Sequence, residues 1–195
     1  MRTVLITGAS GQDGAYLARL LLNQGHQVRA MARTSDPGTW WRFDRLGISG
    51  HENLRILYGD VTDSDFVNWV FKNISPDDVY HLASQSSVGM SWRSQRATFE
   101  TNFMGTLNIL NAVRDICPDA SVVNASTGSI YGSSNVAVKE GHAYNPTSPY
   151  AMSKLAPHHL CQSYRKNYGI DVSNAIFFNH ASELSDDRFV MKKIS

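Results

Sequence analysis

Six short stretches of this chain carry apolar residues on consecutive positions, and that pattern excludes most folds before any motif is considered. They are Thr3–Thr7, Gln27–Ala32, Leu54–Tyr58, Asp78–Ala83, Ser121–Ser126 and Val172–Phe178. A strand with one wet face alternates apolar with polar residues, whereas a strand covered on both faces does not, so these runs read as parallel strands sandwiched by helices. Longer amphipathic segments separate them, which gives the α/β alternation. Helices are expected from Gly14 to about Gln24, stopped by Gly25, and from about Asp63 to Lys72, opened by an Asp/Ser cap. Two more are expected from Gln95 to Ile116, ending before Pro118, and from Ser148-Pro149 to Tyr168, ending at Gly169. Pro157 falls inside the last one, where a lost amide donor and a ring clash cost ~3 kcal/mol in a regular helix, so a kink is expected there. The expected architecture is an α/β doubly wound parallel sheet, the Rossmann arrangement, as one domain over 1–195.

The 195 residues, 42% of them hydrophobic, suffice for one sizeable core. A formal charge of +1 lacks the basic excess that a nucleic acid or anionic membrane partner requires, so neither is expected, while small anions remain compatible. Cys117 and Cys161 have no CxxC or Cys/His ligand spacing, and two reduced thiols are expected. The first apolar run is broken by Gly8, too early for a signal peptide or a membrane span; a cytoplasmic setting follows as the expectation. Asn124-Ala-Ser matches a glycosylation acceptor but closes a core strand, so it is set aside.

Gly8, Gly11 and Gly14 form a GxxGxxG turn between the first strand and the first helix. Glycines there allow a tight turn, a close backbone approach to a pyrophosphate and tight helix packing, while the helix N-terminus offers free amide donors. Gln12 and Asp13 belong to the same turn. A carboxylate closing the second strand would bind a ribose 2′-hydroxyl and repel a 2′-phosphate; the chain has Met31-Ala32-Arg33-Thr34 instead. Arg33 supplies a charge-assisted donor, so NADP is expected over NAD. After the third strand, Asp60 suits an adenine amino group or a helix cap, and Val61 follows it as a cofactor contact.

Tyr150 and Lys154 lie four apart at the start of a helix, hence on one face. A lysine ammonium nearby is expected to pull the tyrosine pKa down from about 10 and make it a usable acid and base. The stretch NASTGSIYGSS ends the fifth strand in hydroxyls, of which Thr127 or Ser126 can orient a sugar or alcohol oxygen. His158-His159 are adjacent rather than four apart, so a helix-surface pair is expected and no metal. His81, at a strand end, is explained by packing as well as by catalysis, and Trp40-Trp41 by loop packing.

With LITGASGQDGAYLARLLL, YGDVTD, DDVYHLASQSSVGMSW, TNFMGTLNILNAVR, ASTGSIYG, SPYAMSKLA, YRKNYGI and FFNHAS…FVMKKIS, the chain resembles the extended short-chain dehydrogenase/reductase family, and within it the GDP-mannose 4,6-dehydratases. The resemblance runs over essentially all residues. It implies catalytic places for Thr127, Tyr150 and Lys154, and a nicotinamide and sugar site along 81–86, with Leu82, Ala83 and Ser84 on the cofactor and Ser86 on the substrate. It further implies substrate contacts at Ser126, Ser129 and Asn179, an NADP-selecting Arg33, a Trp40-Trp41 segment that reaches a neighbouring subunit, and a homo-oligomer. A nucleotide-diphosphate sugar such as GDP-mannose is the implied substrate.

Two departures bear on the chemistry. The dehydratases carry an acid two places after the catalytic threonine, and here Thr127-Gly128-Ser129 has none. The family's arginine-containing stretch is replaced by Glu183-Leu-Ser-Asp-Asp-Arg188. The chain also stops where the family continues, so the C-terminal substrate lobe is expected to be largely absent, leaving an exposed apolar edge. Dehydratase-like C4 redox chemistry is therefore one reading, a nucleotide-sugar C4 reductase or epimerase a second, and a non-catalytic NADP-binding module a third.

Overall fold

The structure is a computed structural model that describes residues 1–186; Arg188 and the FVMKKIS run lie outside the described residues. Six strands form a single parallel sheet: β1 (Thr3–Thr7), β2 (Gln27–Ala32), β3 (Leu54–Tyr58), β4 (Asp78–His81), β5 (Ser121–Thr127) and β6 (Val172–Phe177). Their order is β3-β2-β1-β4-β5-β6, so the winding reverses between β1 and β4. Such a reversal parts the flanking connections and opens a crevice at the carboxyl ends of the strands. Leu5 joins one core with α3 (Ser64–Ile74), α6 (Gly105–Ile116) and α7 (Pro149–Tyr168), while its neighbours Val4 and Ile6 join another with α1 (Gln12–Asn23), Trp40 and Phe43. Both faces of β1 are thus buried, which is why its residues are apolar without alternation.

The helices start and stop where local chemistry dictates. Asp63 caps α3 by accepting from the amides of Asp65 and Phe66, Ser148 caps α7 by accepting from Ala151, and Gly169 ends α7 in the left-handed region. A one-turn 3-10 helix (Pro37–Trp40) and α2 (Trp41–Arg45) follow β2, and α4 (Val88–Arg93) follows β4.

Two expectations change. The long helix at 95–116 is divided into α5 (Gln95–Phe99), a π turn (Glu100–Met104) and α6, because the extra residue of the π turn accommodates the buried Asn102 described below. β4 ends at His81 rather than Ala83, since the amides of Leu82 and Ala83 are already bonded to Thr7, by its carbonyl at 3.1 Å and its hydroxyl at 3.2 Å. α6 ends at Ile116 as expected, and α7 carries the buried Pro157 inside its span from Pro149 to Tyr168. Asn124 is buried and donates to Asn174 Oδ1 at 2.8 Å, and both cysteines are free thiols. No helix among the described residues is long and apolar enough to cross a membrane.

Candidate active site at the sheet reversal

A cleft of about 930 Å³ lies at the carboxyl ends of the strands. Its size is at the upper end for small-molecule sites, roughly 300–1,000 Å³. Gly8, Gly11, Gln12, Asp13 and Gly14 line it. Gly8 sits at φ +69°, and a Cβ there would fall 2.7 Å from the Ala83 amide nitrogen; at Gly14 it would fall 2.6 Å from Ala9 Cα. The turn therefore accepts only glycine at these two places, and this brings β1, β4 and α1 together. No side chain caps the first turn of α1, so its amides remain available to an anion in the cleft. On these grounds the residues present fit a dinucleotide pyrophosphate.

Met31 and Arg33 continue the wall at the end of β2, with Val61 and Gly59 opposite. Arg42 also lines the cleft, a residue that motif reading missed because it sits in an unpatterned segment. Its guanidinium donates to the carbonyls of Leu184 (2.7 Å) and Ser10 (2.9 Å) and lies 4.5 Å from the Trp41 ring. Trp40 packs on Phe43, as loop packing requires. Asp60 does not line the cleft: its Oδ1 accepts from the amide and hydroxyl of Thr62, both at 2.9 Å, and the cap of α3 is Asp63 instead.

Leu82, Ala83, Ser84 and Ser86 form the next stretch of wall. Asn102 holds it from behind, its Oδ1 accepting from the Ser84 hydroxyl and the Gln85 amide and its Nδ2 donating to Ser153 Oγ at 2.8 Å. His81 lies beneath, fully buried. Thr106 spends its hydroxyl proton on the Asn102 carbonyl, so His81 Nε2–H donates to Thr106 Oγ1 (3.1 Å) and Nδ1 accepts from Thr7 Oγ1 (2.8 Å). Burial, helped by the charge of Lys154, pushes the His81 pKa down to about 3. Because the folded value lies below the unfolded value of about 6.5, stability from this residue is intact above pH ~6.5 and is lost as pH falls toward 3. Denaturation midpoints measured across that window should fall with a slope approaching about 1.4 kcal/mol per pH unit more steeply than in His81→Gln. Parallel pH profiles would rule this out.

Thr127, at the end of β5, brings its hydroxyl to the side of the Tyr150 phenol, and Lys154 lies one turn further along α7. All three line the cleft. Lys154 Nζ donates to the Ala125 carbonyl at 2.8 Å, and burial lowers its pKa to about 8. The expected depression of Tyr150 by lysine is not what sets its pKa: burial raises it, and the Thr127 hydrogen bond opposes that rise. Ser126 lines the cleft, whereas Ser129 does not; the Ser129 amide instead donates to Thr127 Oγ1 at 3.2 Å. His158, expected on the helix surface, is buried.

Beyond β6 the chain crosses the glycine turn, and Phe177, Phe178, Asn179 and His180 line the cleft. The hydroxyls of Ser182 and Ser185 donate to Gln12 Oε1 at 2.9 and 2.6 Å. His180 Nε2 lies 2.8 Å from Asp13 Oδ1 and Nδ1 lies 2.7 Å from the Phe178 carbonyl. Both acceptors favour the protonated ring, and these contacts raise the His180 pKa.

A parallel sheet of this order, a glycine turn at its reversal and a threonine, tyrosine and lysine facing one cleft define an extended short-chain dehydrogenase/reductase domain. More narrowly, the chain belongs to the GDP-mannose 4,6 dehydratase family, whose model matches residues 5–195. It is 37% identical over 200 residues to a GDP-mannose 4,6-dehydratase of Vibrio cholerae serotype O1, covering all of this chain and 54% of the relative. It is 34% identical over 202 residues to GDP-mannose 4,6 dehydratase 2 of Arabidopsis thaliana, again covering all of this chain and 54% of the relative. The chain thus spans about half the length of the curated relatives it matches. Among solved structures, it resembles the UDP-glucuronic acid 4-epimerase of Bacillus cereus in complex with UDP-glucuronic acid and NAD, with a TM-score of 0.87 and 28% identity over 97% of this chain and 60% of that one. The dTDP-glucose 4,6-dehydratase of Streptomyces venezuelae shares the fold at a TM-score of 0.86 and 24% identity, over 98% of this chain and 60% of that one.

Proposed function

We propose that this chain is the NADP-binding half of an enzyme that performs redox chemistry at C4 of a nucleotide-diphosphate sugar, in the manner of a GDP-mannose 4,6-dehydratase. The observation that carries the reading is the convergence of Thr127, Tyr150 and Lys154 on one cleft whose far end is the glycine turn. The bound nicotinamide would supply the hydride acceptor and donor. Tyr150 takes the C4 hydroxyl proton and returns it, and Thr127 orients the phenol by donating to its oxygen. Lys154, anchored on the Ala125 carbonyl, places a titratable ammonium one helical turn away. Free amides of α1 hold the diphosphate, Arg33 favours a 2′-phosphate, and Asn179 with His180 faces the same cleft. Exposed Val88, Met90, Trp92 and Met104, between α4 and the end of the π turn, favour a homo-oligomer.

A C4 reductase or epimerase is the second reading, favoured by one observation: no carboxylate stands at 128 or 129, and Ser129 does not line the cleft. Such enzymes need only the hydroxyl, tyrosine and lysine. Calorimetric titration with NADP and NAD, with and without GDP-mannose or a UDP-sugar, tests the reading. NADP is expected to bind more tightly, and Arg33→Ala to remove roughly a tenfold preference or more, the worth of one charge-assisted bond. Equal affinities that Arg33→Ala leaves unchanged would discard NADP selection. Tight cofactor binding with neither transient nicotinamide reduction nor any sugar product on any sugar nucleotide would leave the non-catalytic module.

A further inference from the structure

Tyr150, Lys154 and His158 succeed one another at four-residue steps on α7, so His158 continues the stripe that faces β5. It is 4% exposed, and no step described so far uses it. Its Nδ1 lies 3.0 Å from Ser126 Oγ, and its Nε2 lies 3.1 Å from Tyr144 Oη and 3.3 Å from Gln162 Nε2. Gln162 turns its Oε1 to His159 Nδ1 at 3.1 Å, so its Nε2 can only donate. His158 Nε2 is therefore the acceptor and the ring proton sits on Nδ1, donated to Ser126 Oγ, an assignment that follows from the network. The Tyr144 hydroxyl completes the set by donating to Nε2. Ser126 already accepts the Nδ1 proton, which leaves its own hydroxyl hydrogen for another acceptor, and Ser126 lines the cleft beside Thr127. Tyr144 is half-buried, its ring packed on Tyr131, His158 and His159. Burial, with the nearby His159 and Arg165, keeps the imidazole in its neutral form.

We propose that Tyr144, His158 and Ser126 form a proton-delivery chain that ends on a substrate oxygen other than the one served by Tyr150. Ser126 is the donor at the cleft, and His158 and Tyr144 are positioning residues behind it. In one transfer the Ser126 O–H bond breaks toward the substrate oxygen, the Nδ1 proton moves to Ser126 Oγ, the Tyr144 proton moves to Nε2, and water reprotonates Tyr144. One solvent proton enters the cleft and His158 remains neutral, now as its Nε2–H tautomer; the chain resets when the same path runs in reverse and carries a proton released by the substrate back to solvent. The proposal rests on the sugar-nucleotide reading for its substrate, and it supplies an acid where position 129 has none.

Two measurements on the full chain separate this proposal from that reading. Nitrogen-15 NMR of the histidine side chains near neutral pH is expected to find His158 neutral with its proton on Nδ1; an imidazolium, or a proton on Nε2, overturns the chain whatever the enzyme does. In turnover with GDP-mannose and NADP, Tyr144→Phe keeps the ring packing but breaks the relay. It is expected to leave the nicotinamide absorbance change intact while lowering the eliminated, 4-keto-6-deoxy product on the order of 10-fold or more. Ser126→Thr, which retains the hydroxyl, should keep most of the eliminated product that Ser126→Ala loses. Equal losses in both signals mean a structural role and overturn the proposal, as does no loss in either. If no protein shows transient nicotinamide reduction in a single turnover or any sugar product, the sugar-nucleotide reading fails and the NMR result alone decides the chain.

Discussion

Tyr150→Phe is expected to lower hydride transfer at C4 by ~10²–10⁴-fold while cofactor affinity stays unchanged. The substitution removes one oxygen and leaves the ring in place. Lys154 is held by the Ala125 carbonyl rather than by the phenol, so it remains in place when the oxygen is deleted. The end of the cleft formed by the glycine turn is equally untouched. Single-turnover absorbance of the nicotinamide gives the rate, and calorimetry gives the affinity. A rate within about threefold of the unmodified protein would exclude Tyr150 as the proton acceptor.

The largest effect on stability is expected from Gly8→Ala, at ~2–5 kcal/mol. Two costs add at this position. Gly8 has φ +69°, where a Cβ-bearing residue is strained, and the added carbon would meet the Ala83 amide nitrogen at 2.7 Å and Ala83 Cα at 2.8 Å. Those atoms are backbone, so no side-chain rotation relieves the contact; β4 would have to move away from β1. Urea denaturation should show the lower midpoint, and the displaced turn should weaken NADP binding in parallel. By contrast, Gly25 is also at positive φ, but a Cβ added there would meet nothing within 4 Å, so Gly25→Ala bears only the conformational part of the cost. Equal stability losses at the two glycines would mean that the close approach to β4 contributes nothing.

The strands were legible because burial on both faces writes itself as consecutive apolar residues, a local signature. The glycine turn and the Tyr150–Lys154 spacing were legible for the same reason: each depends on a few neighbouring positions. The capping residues Asp63 and Ser148 and the terminal Gly169 belong with them, since a helix end is satisfied by side chains within a few residues of it.

Other features were settled by residues far apart in the chain. Asn102 interrupts a pattern that reads as one long helix, because its partners Ser84, Gln85 and Ser153 come from other elements and meet it only in the folded sheet. Arg42 reaches the cleft because Leu184 and Ser10 supply its acceptors, from sequence positions no periodicity connects. His158 reads as half of an exposed pair until Ser126 and Tyr144 close around it. Ser129 and Asp60 sit in local turns, where the Ser129 amide donates to Thr127 Oγ1 and Asp60 Oδ1 accepts from the Thr62 amide. Sequence alone therefore determined most of the elements, the glycine turn and the Tyr150–Lys154 spacing, all of which follow from short-range sterics and hydrogen bonding. Which polar side chains face the cleft, and which protonation state each holds there, was decided by burial and by long-range partners, whose desolvation and hydrogen bonds exist only once the sheet has assembled.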